Sequence, residues 1–183
     1  MELWLNSVDS PLGEMMLVTD EHCRVRALEF ADHESRLFRG LREHYGDPHL
    51  YDGPGRFSVG AIAAKLKRYF DGDVAALDDI QVATGGSELQ RQVWAALRRI
   101  PAGRVTSYGE LARSLGHTHP RVARDVGAAN GANPIAIILP CHRVIGKGGD
   151  LKGYAWGLHR KRWLLEHERA DVAGGQTATL PGF

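Results

Sequence analysis

Cysteine is scarce in this chain: Cys23 and Cys141 are the only two in 183 residues, too few and too far apart for a disulfide framework or a metal-ligand spacing. Long hydrophobic runs are missing as well, and none approaches the roughly 18 residues needed to cross a bilayer. The opening Met1-Glu2-Leu3-Trp4-Leu5-Asn6 lacks the basic region and apolar core of a signal peptide. Together these absences predict a soluble cytoplasmic protein with no membrane partner, no metal and no cofactor. Internal repeats are lacking too. Net charge is only +1, but the total conceals a division. Up to Thr84 there are 9 Lys/Arg against 15 Asp/Glu, and from Gly85 onward 14 against 7. A basic half joined to an acidic one suits a nucleic-acid-binding module with a companion, although a solvated face would give the same imbalance.

The first thirty residues read as strands, with Glu14–Val18 and Arg24–Phe30 as a hairpin. Glu34–Tyr45 and Phe57–Phe70 have helical spacing, the second lining up Ile62, Leu66, Tyr69 and Phe70. Val82–Gly86 reads as a link. Ser87-Glu88-Leu89-Gln90 is a capping box that opens a helix with Val93, Trp94, Leu97 and Ile100 inward. Ser107-Tyr108-Gly109-Glu110 starts another helix, halted at Gly116, and Pro120–Ala129 a third, ended by Asn130-Gly131. Two short helices about a glycine-containing turn suggest a helix-turn-helix. Ile135–Leu139 should run extended, and a last helix is expected over Leu158–Glu168 with Trp163 and Leu164 inward. From Ala170 the tail is small and polar and is expected to fray.

The run Ile137-Ile138-Leu139-Pro140-Cys141-His142-Arg143-Val144 carries the chemistry. A thiol is a weak nucleophile until it is a thiolate, and imidazole and guanidinium beside it are groups that can make it one. A buried cysteine at a strand end is the plain alternative, because free cysteine packs as a small hydrophobe.

This segment, extended back to Asn133-Pro134, closely resembles the active-site signature of the O(6)-alkylguanine-DNA alkyltransferases, the methylated-DNA–protein-cysteine methyltransferases. The likeness spans about Thr84 to Glu168 and includes Leu89–Trp94, Ile100-Pro101-Ala102-Gly103, Ser107-Tyr108-Gly109, Gly153-Tyr154-Ala155 and Lys161–Leu165. It implies an α+β chain: a ribonuclease-H-like domain at 1–84, a mostly helical, winged helix-turn-helix-like domain at 85–169, and a flexible tail at 170–183. It also implies irreversible, single-turnover transfer of an alkyl group from O(6)-alkylguanine, and from O(4)-methylthymine, to Cys141. A thioether offers water no acyl carbon, so the protein is consumed by the reaction.

By the same resemblance His142 acts as base through a water, Glu168 orients the imidazole, Tyr108 gives a proton to the leaving guanine, and Asn133 braces the cysteine segment. Val144, Tyr154, Ala155 and Trp156 form the base pocket. Arg124 fills the space left by a flipped nucleotide, in a helix whose Gly127 and Ala128 permit close approach to the minor groove. Arg121 joins Arg91, Arg98, Arg104 and Arg113 as candidate phosphate contacts. The partner implied is double-stranded DNA containing alkylated guanine, met by a monomer. On the residues alone, Glu168 is one charge in a helix, Tyr108 a packing ring, and Asn133 a helix stop before proline.

Three departures stand out. Two extra residues separate Tyr108 from Arg124, Asp125 stands where a small apolar residue is usual, and Trp156 replaces a glycine found in many members. Trp156 is expected to narrow the pocket against bulky adducts such as benzyl. A helix-turn-helix regulator sensing alkylation through Cys141 is the alternative function, and a Cys-His hydrolase a third class.

Overall fold

The computed structural model describes residues 1–53 and 59–172. It is a mixed α/β chain that divides into two compact units, Met1–Gly86 with Pro134–Ile138, and Ser87–Asn133 with the chain from Leu139 on. Among the described residues no helix is long and apolar enough to cross a membrane.

The first unit is built on β1 (Glu2–Val8), β2 (Met15–Asp20), β3 (Val25–Phe30) and β4 (His49–Asp52), in the order β3-β2-β1-β4. β2 pairs antiparallel with both β1 and β3, setting Leu5 opposite Val18 and Val18 opposite Ala27, while β4 joins β1 in parallel. Helix α1 (Glu34–Tyr45) lays Leu37 and Leu41 on Leu3, Val18 and Ala27. Its last turn ends at Gly46, whose φ of +76° a side chain would disfavour. The expected hairpin is β2 and β3. β4 was illegible because a four-residue edge strand, mostly exposed, shows no alternation of apolar and polar residues. Helix α2 is Val59–Phe70; Phe57 and Ser58, where a start was expected, lie outside the described residues. Its buried face is Val59, Ile62, Leu66 and Tyr69, with Phe70 only partly buried.

The stretch read as a link is pinned. Val82 bridges to Val25, and Tyr45 donates from its hydroxyl to the Ala83 carbonyl while accepting from the Gly85 amide. A side chain at position 85 would lie 2.6 Å from the β-carbon of His44, so only glycine fits there. Ile135–Leu139 is not a strand. Ile135 alone bridges to Leu28, after which the chain turns, with Ile137 at φ +67°. All five side chains are buried, and burial on every side gives the same apolar run whether the backbone is extended or turned.

The second unit contains α3 (Glu88–Leu97), β5 (Thr106–Ser107), α4 (Tyr108–Ser114), α5 (Pro120–Gly131), β6 (Val144–Ile145) and α6 (Leu158–His167). Both expected capping boxes form, Ser87 with Gln90 and Ser107 with Glu110. The Trp94 indole donates to the Ala129 carbonyl, fixing α3 against α5. Helix α5 runs through Asn130 and Gly131 rather than stopping at them. The restriction that Pro134 places on Asn133 ends it instead. In α6 the buried positions are Arg160, Lys161, Leu164 and Leu165. Trp163 is half-buried and stacks on His167 at 4.7 Å, so the expectation of an inward Trp163 is corrected: two buried cations break the apolar stripe that would have identified the inner face.

Candidate active site

A short parallel pairing assembles the site. β5 lies beside β6, with Thr106 opposite Val144, and this carries the start of α4, and so Tyr108, toward the turn Cys141–Arg143 just before β6. Cys141 is 3% exposed. Fully buried Asn133 donates from Nδ2 to the Leu139 carbonyl at 2.8 Å and to the Cys141 sulfur at 3.1 Å. A donor aimed at sulfur favours the thiolate over the thiol.

His142 is fully buried, and its Nε2 meets Glu168 Oε1 at 2.9 Å. With the carboxylate ionised, Nε2 carries the proton, which leaves Nδ1 as a base. Nδ1 has no hydrogen-bond partner among the described residues. Burial holds the His142 pKa below its ordinary value, so the ring rests neutral, as a base must. Glu168 is gripped from a second side: Arg143 donates from Nε to Oε2 at 2.9 Å and from Nη2 to Oε1 at 2.8 Å, while Nη1 reaches the Ile100 carbonyl. Burial alone would raise this carboxyl, but His142 and Arg143 hold it well below the usual carboxylate range.

A cavity of about 180 Å³ opens on the sulfur, smaller than a drug-sized pocket. Of the residues expected in the site, Cys141, Tyr108, Gly127, Tyr154 and Ala155 line it; Asn130, Gly131 and Gly153 complete the wall. Burial, and then the charge of Cys141, raise the Tyr108 pKa, which keeps the phenol protonated as a donor. Trp156 does not line the cavity. It is fully buried, with its ring edge-on at 5.0 Å to Tyr154, which does line the cavity. Val144 is buried beside the cavity rather than on it. Arg121, Arg124, Asp125 and Ala128 are all exposed on α5.

In the sequence Lys161 stands out only as part of the stretch Lys161–Leu165. It is fully buried and donates to the carbonyls of Val144, at 2.6 Å, and Gly153, at 3.2 Å. Desolvation lowers its pKa to about 8, while the nearby Cys141 pulls it upward. The signal was available in principle, because Lys161 stands three and four places before the buried Leu164 and Leu165.

Comparison with known proteins identifies the family. The family model described as 6-O-methylguanine DNA methyltransferase, DNA binding domain, matches residues 88–170. The methylated-DNA–protein-cysteine methyltransferase of Salmonella typhimurium is 47% identical over 171 residues, covering 92% of this chain and 96% of that one. The protein of that name from Mycobacterium bovis is 43% identical over 175 residues, covering 93% and 95%. Among solved structures, Mycobacterium tuberculosis OGT in complex with DNA superposes with a TM-score of 0.73 at 36% identity, covering 92% of this chain and 93% of that one. With a buried cysteine held by an asparagine, a histidine held by a carboxylate, and relatives matched along almost its whole length, this chain belongs to the methylated-DNA–protein-cysteine methyltransferases.

Proposed function

We propose that this protein repairs double-stranded DNA by moving the alkyl group of O(6)-alkylguanine, or of O(4)-methylthymine, onto the sulfur of Cys141. His142 Nδ1 takes the thiol proton through a water, sulfur bonds to the alkyl carbon, and the carbon–oxygen bond breaks with its electron pair going to the base. Tyr108 supplies a proton to the departing guanine. The observation that carries this reading is the pair of hydrogen bonds, Asn133 to the Cys141 sulfur and His142 to Glu168, at a cysteine that lines a cavity of about 180 Å³. Cys141 lies inside that cavity, so the nucleotide has to leave the stack to reach it. In this reading Arg124, which is exposed on α5, fills the gap from the minor groove, with Gly127 and Ala128 allowing approach and Arg121 meeting a phosphate.

The chain acts as a cytoplasmic monomer, with a ribonuclease-H-like domain over 1–84 and a winged helix-turn-helix-like domain over 85–169. Of the tail assigned to 170–183, residues 173–183 lie outside the described residues. Intact-protein mass spectrometry after incubation with a duplex carrying one O(6)-methylguanine tests the reading. We expect a single added methyl group on the protein, absent in Cys141→Ala. Repaired DNA with unmodified protein would overturn it.

A further inference from the structure

The chain reaches Cys141 through a backbone conformation that its own side chains disfavour. Among the described residues four that are not glycine have a positive φ: Cys23, Ile137, Lys152 and Arg169. Ile137, at +67°, is the buried one of the four and the one branched at its β-carbon. Its neighbours close a three-residue turn around it, the Ile138 amide donating to the Ala136 carbonyl at 2.7 Å. A turn of this kind with a positive φ at its centre is the rare, strained form, and a β-branched residue is the type least suited to it. Glycine would adopt it freely.

The hydrogen bonds on either side show what the turn achieves. Before it, the segment is fixed to β3: Leu28 donates to the Pro134 carbonyl at 3.0 Å, and Ala136 donates back to the Leu28 carbonyl at 2.8 Å. After it, the chain returns to the residue it set out from, because Asn133 Nδ2 donates to both the Leu139 carbonyl and the Cys141 sulfur. Closing on Asn133 within six residues demands a reversal. With Ala136 held on β3 and Leu139 held by Asn133, Ile137 and Ile138 are left to make it. Glycine at 137 would take up this turn and many others, whereas a side chain buried to 2% exposure admits the one conformation that fits its surroundings.

We propose that Ile137 is a positioning residue for the nucleophile: its buried side chain holds the strained turn that brings the chain back to Asn133, and so sets the contact between Asn133 and the Cys141 sulfur. The proposal rests on the repair reading above for the purpose of that sulfur and deepens it.

Two measurements test it: the pH dependence of Cys141 alkylation by iodoacetamide, read on the Cys141 peptide by mass spectrometry, and single-turnover methyl transfer from an O(6)-methylguanine duplex. They are made on the native protein, Ile137→Gly, Ile137→Ala and a control, Ile135→Ala, which removes another buried isoleucine from the same segment. In both Ile137 variants the pH midpoint of alkylation should rise by about one unit, as a thiolate loses a hydrogen-bond donor, and methyl transfer should slow by about tenfold or more. The control should keep native values in both. Tyr108 and Lys161, whose charges act on Cys141, and His142 beside it are unchanged throughout, so a rise confined to position 137 reads the Asn133 contact. Strain has its own readout: the glycine variant should unfold at a higher urea concentration than the alanine variant, the reverse of their usual order. If the alanine variant, which keeps the strain, does not fold, the glycine variant carries the titration. A native midpoint in the glycine variant, an equal rise in Ile135→Ala, or an alanine variant more stable than the glycine one would overturn the proposal. Absence of methyl transfer by the native protein alongside the expected titrations would instead end the repair reading and uphold this assignment.

Discussion

Two glutamates, one in each unit, are buried to the same degree and respond in opposite ways. Glu29 on β3 is 1% exposed and Glu168 at the end of α6 is 5% exposed. Glu29 has one cationic partner, Arg36 at 2.6 Å, and its Oε1 has no hydrogen-bond partner among the described residues. Burial dominates there and pushes its pKa up to about 7. Glu168 has Arg143 on both oxygens and His142 on one, and it stays ionised. Burial therefore does not decide the charge of a carboxylate; the number of donors aimed at it does. The proposed reaction needs the second kind, because only an ionised Glu168 holds the His142 proton on Nε2 and leaves Nδ1 free to act as a base.

Breaking the fork should have the largest effect. Arg143→Met keeps bulk but strands Glu168, and should destabilise the protein by about 3–5 kcal/mol, read from the midpoint and slope of urea unfolding. Glu168→Gln tests the other consequence: the amide no longer fixes the imidazole as a base, and methyl transfer to Cys141 should slow by about a hundredfold or more, measured in single turnover. Glu29→Gln, in the other unit, should leave that rate alone.

The smallest effect is a pH signature. Glu29 has a folded pKa of about 7, above the unfolded value of about 4.3, so between these values the folded protein holds a proton that the unfolded chain has released. The stability contributed by that proton is full below about pH 4.3 and is lost as pH rises through about 7. The native protein should lose about 2 kcal/mol relative to Glu29→Gln between pH 5 and pH 8, seen by urea unfolding at each pH. An equal gap at both pH values would show that Arg36 keeps Glu29 ionised, and would erase the contrast with Glu168.

Sequence reading reached the parts of this molecule that are local. Both capping boxes, the hairpin and the start of α5 at Pro120 are set by neighbours within a few residues, and these were legible. The Cys141-His142 pair, proposed above as nucleophile and base, stood out in the sequence because the adjacent pair is rare and chemically pointed. What escaped depends on contacts distant along the chain. β4 exists because β1 offers an edge, Ile135–Leu139 turns because a single bridge to Leu28 fixes only its first residue, and Lys161 is buried because two carbonyls converge on it. Asn130 looked like a helix stop, its usual role, until the cavity placed it beside Tyr108.

The turn at Ile100–Gly103 has a consequence for how the carboxylate is placed. Gly103 has a φ of +79°, and a β-carbon there would stand 3.1 Å from the Glu168 carbonyl oxygen. The Ile100 carbonyl receives Arg143 Nη1. This turn is a gauge block: one glycine, contributing no atom to the proposed chemistry, sets how closely the chain at Glu168 can approach. A single added methyl at position 103 would be felt at the imidazole as an error of alignment.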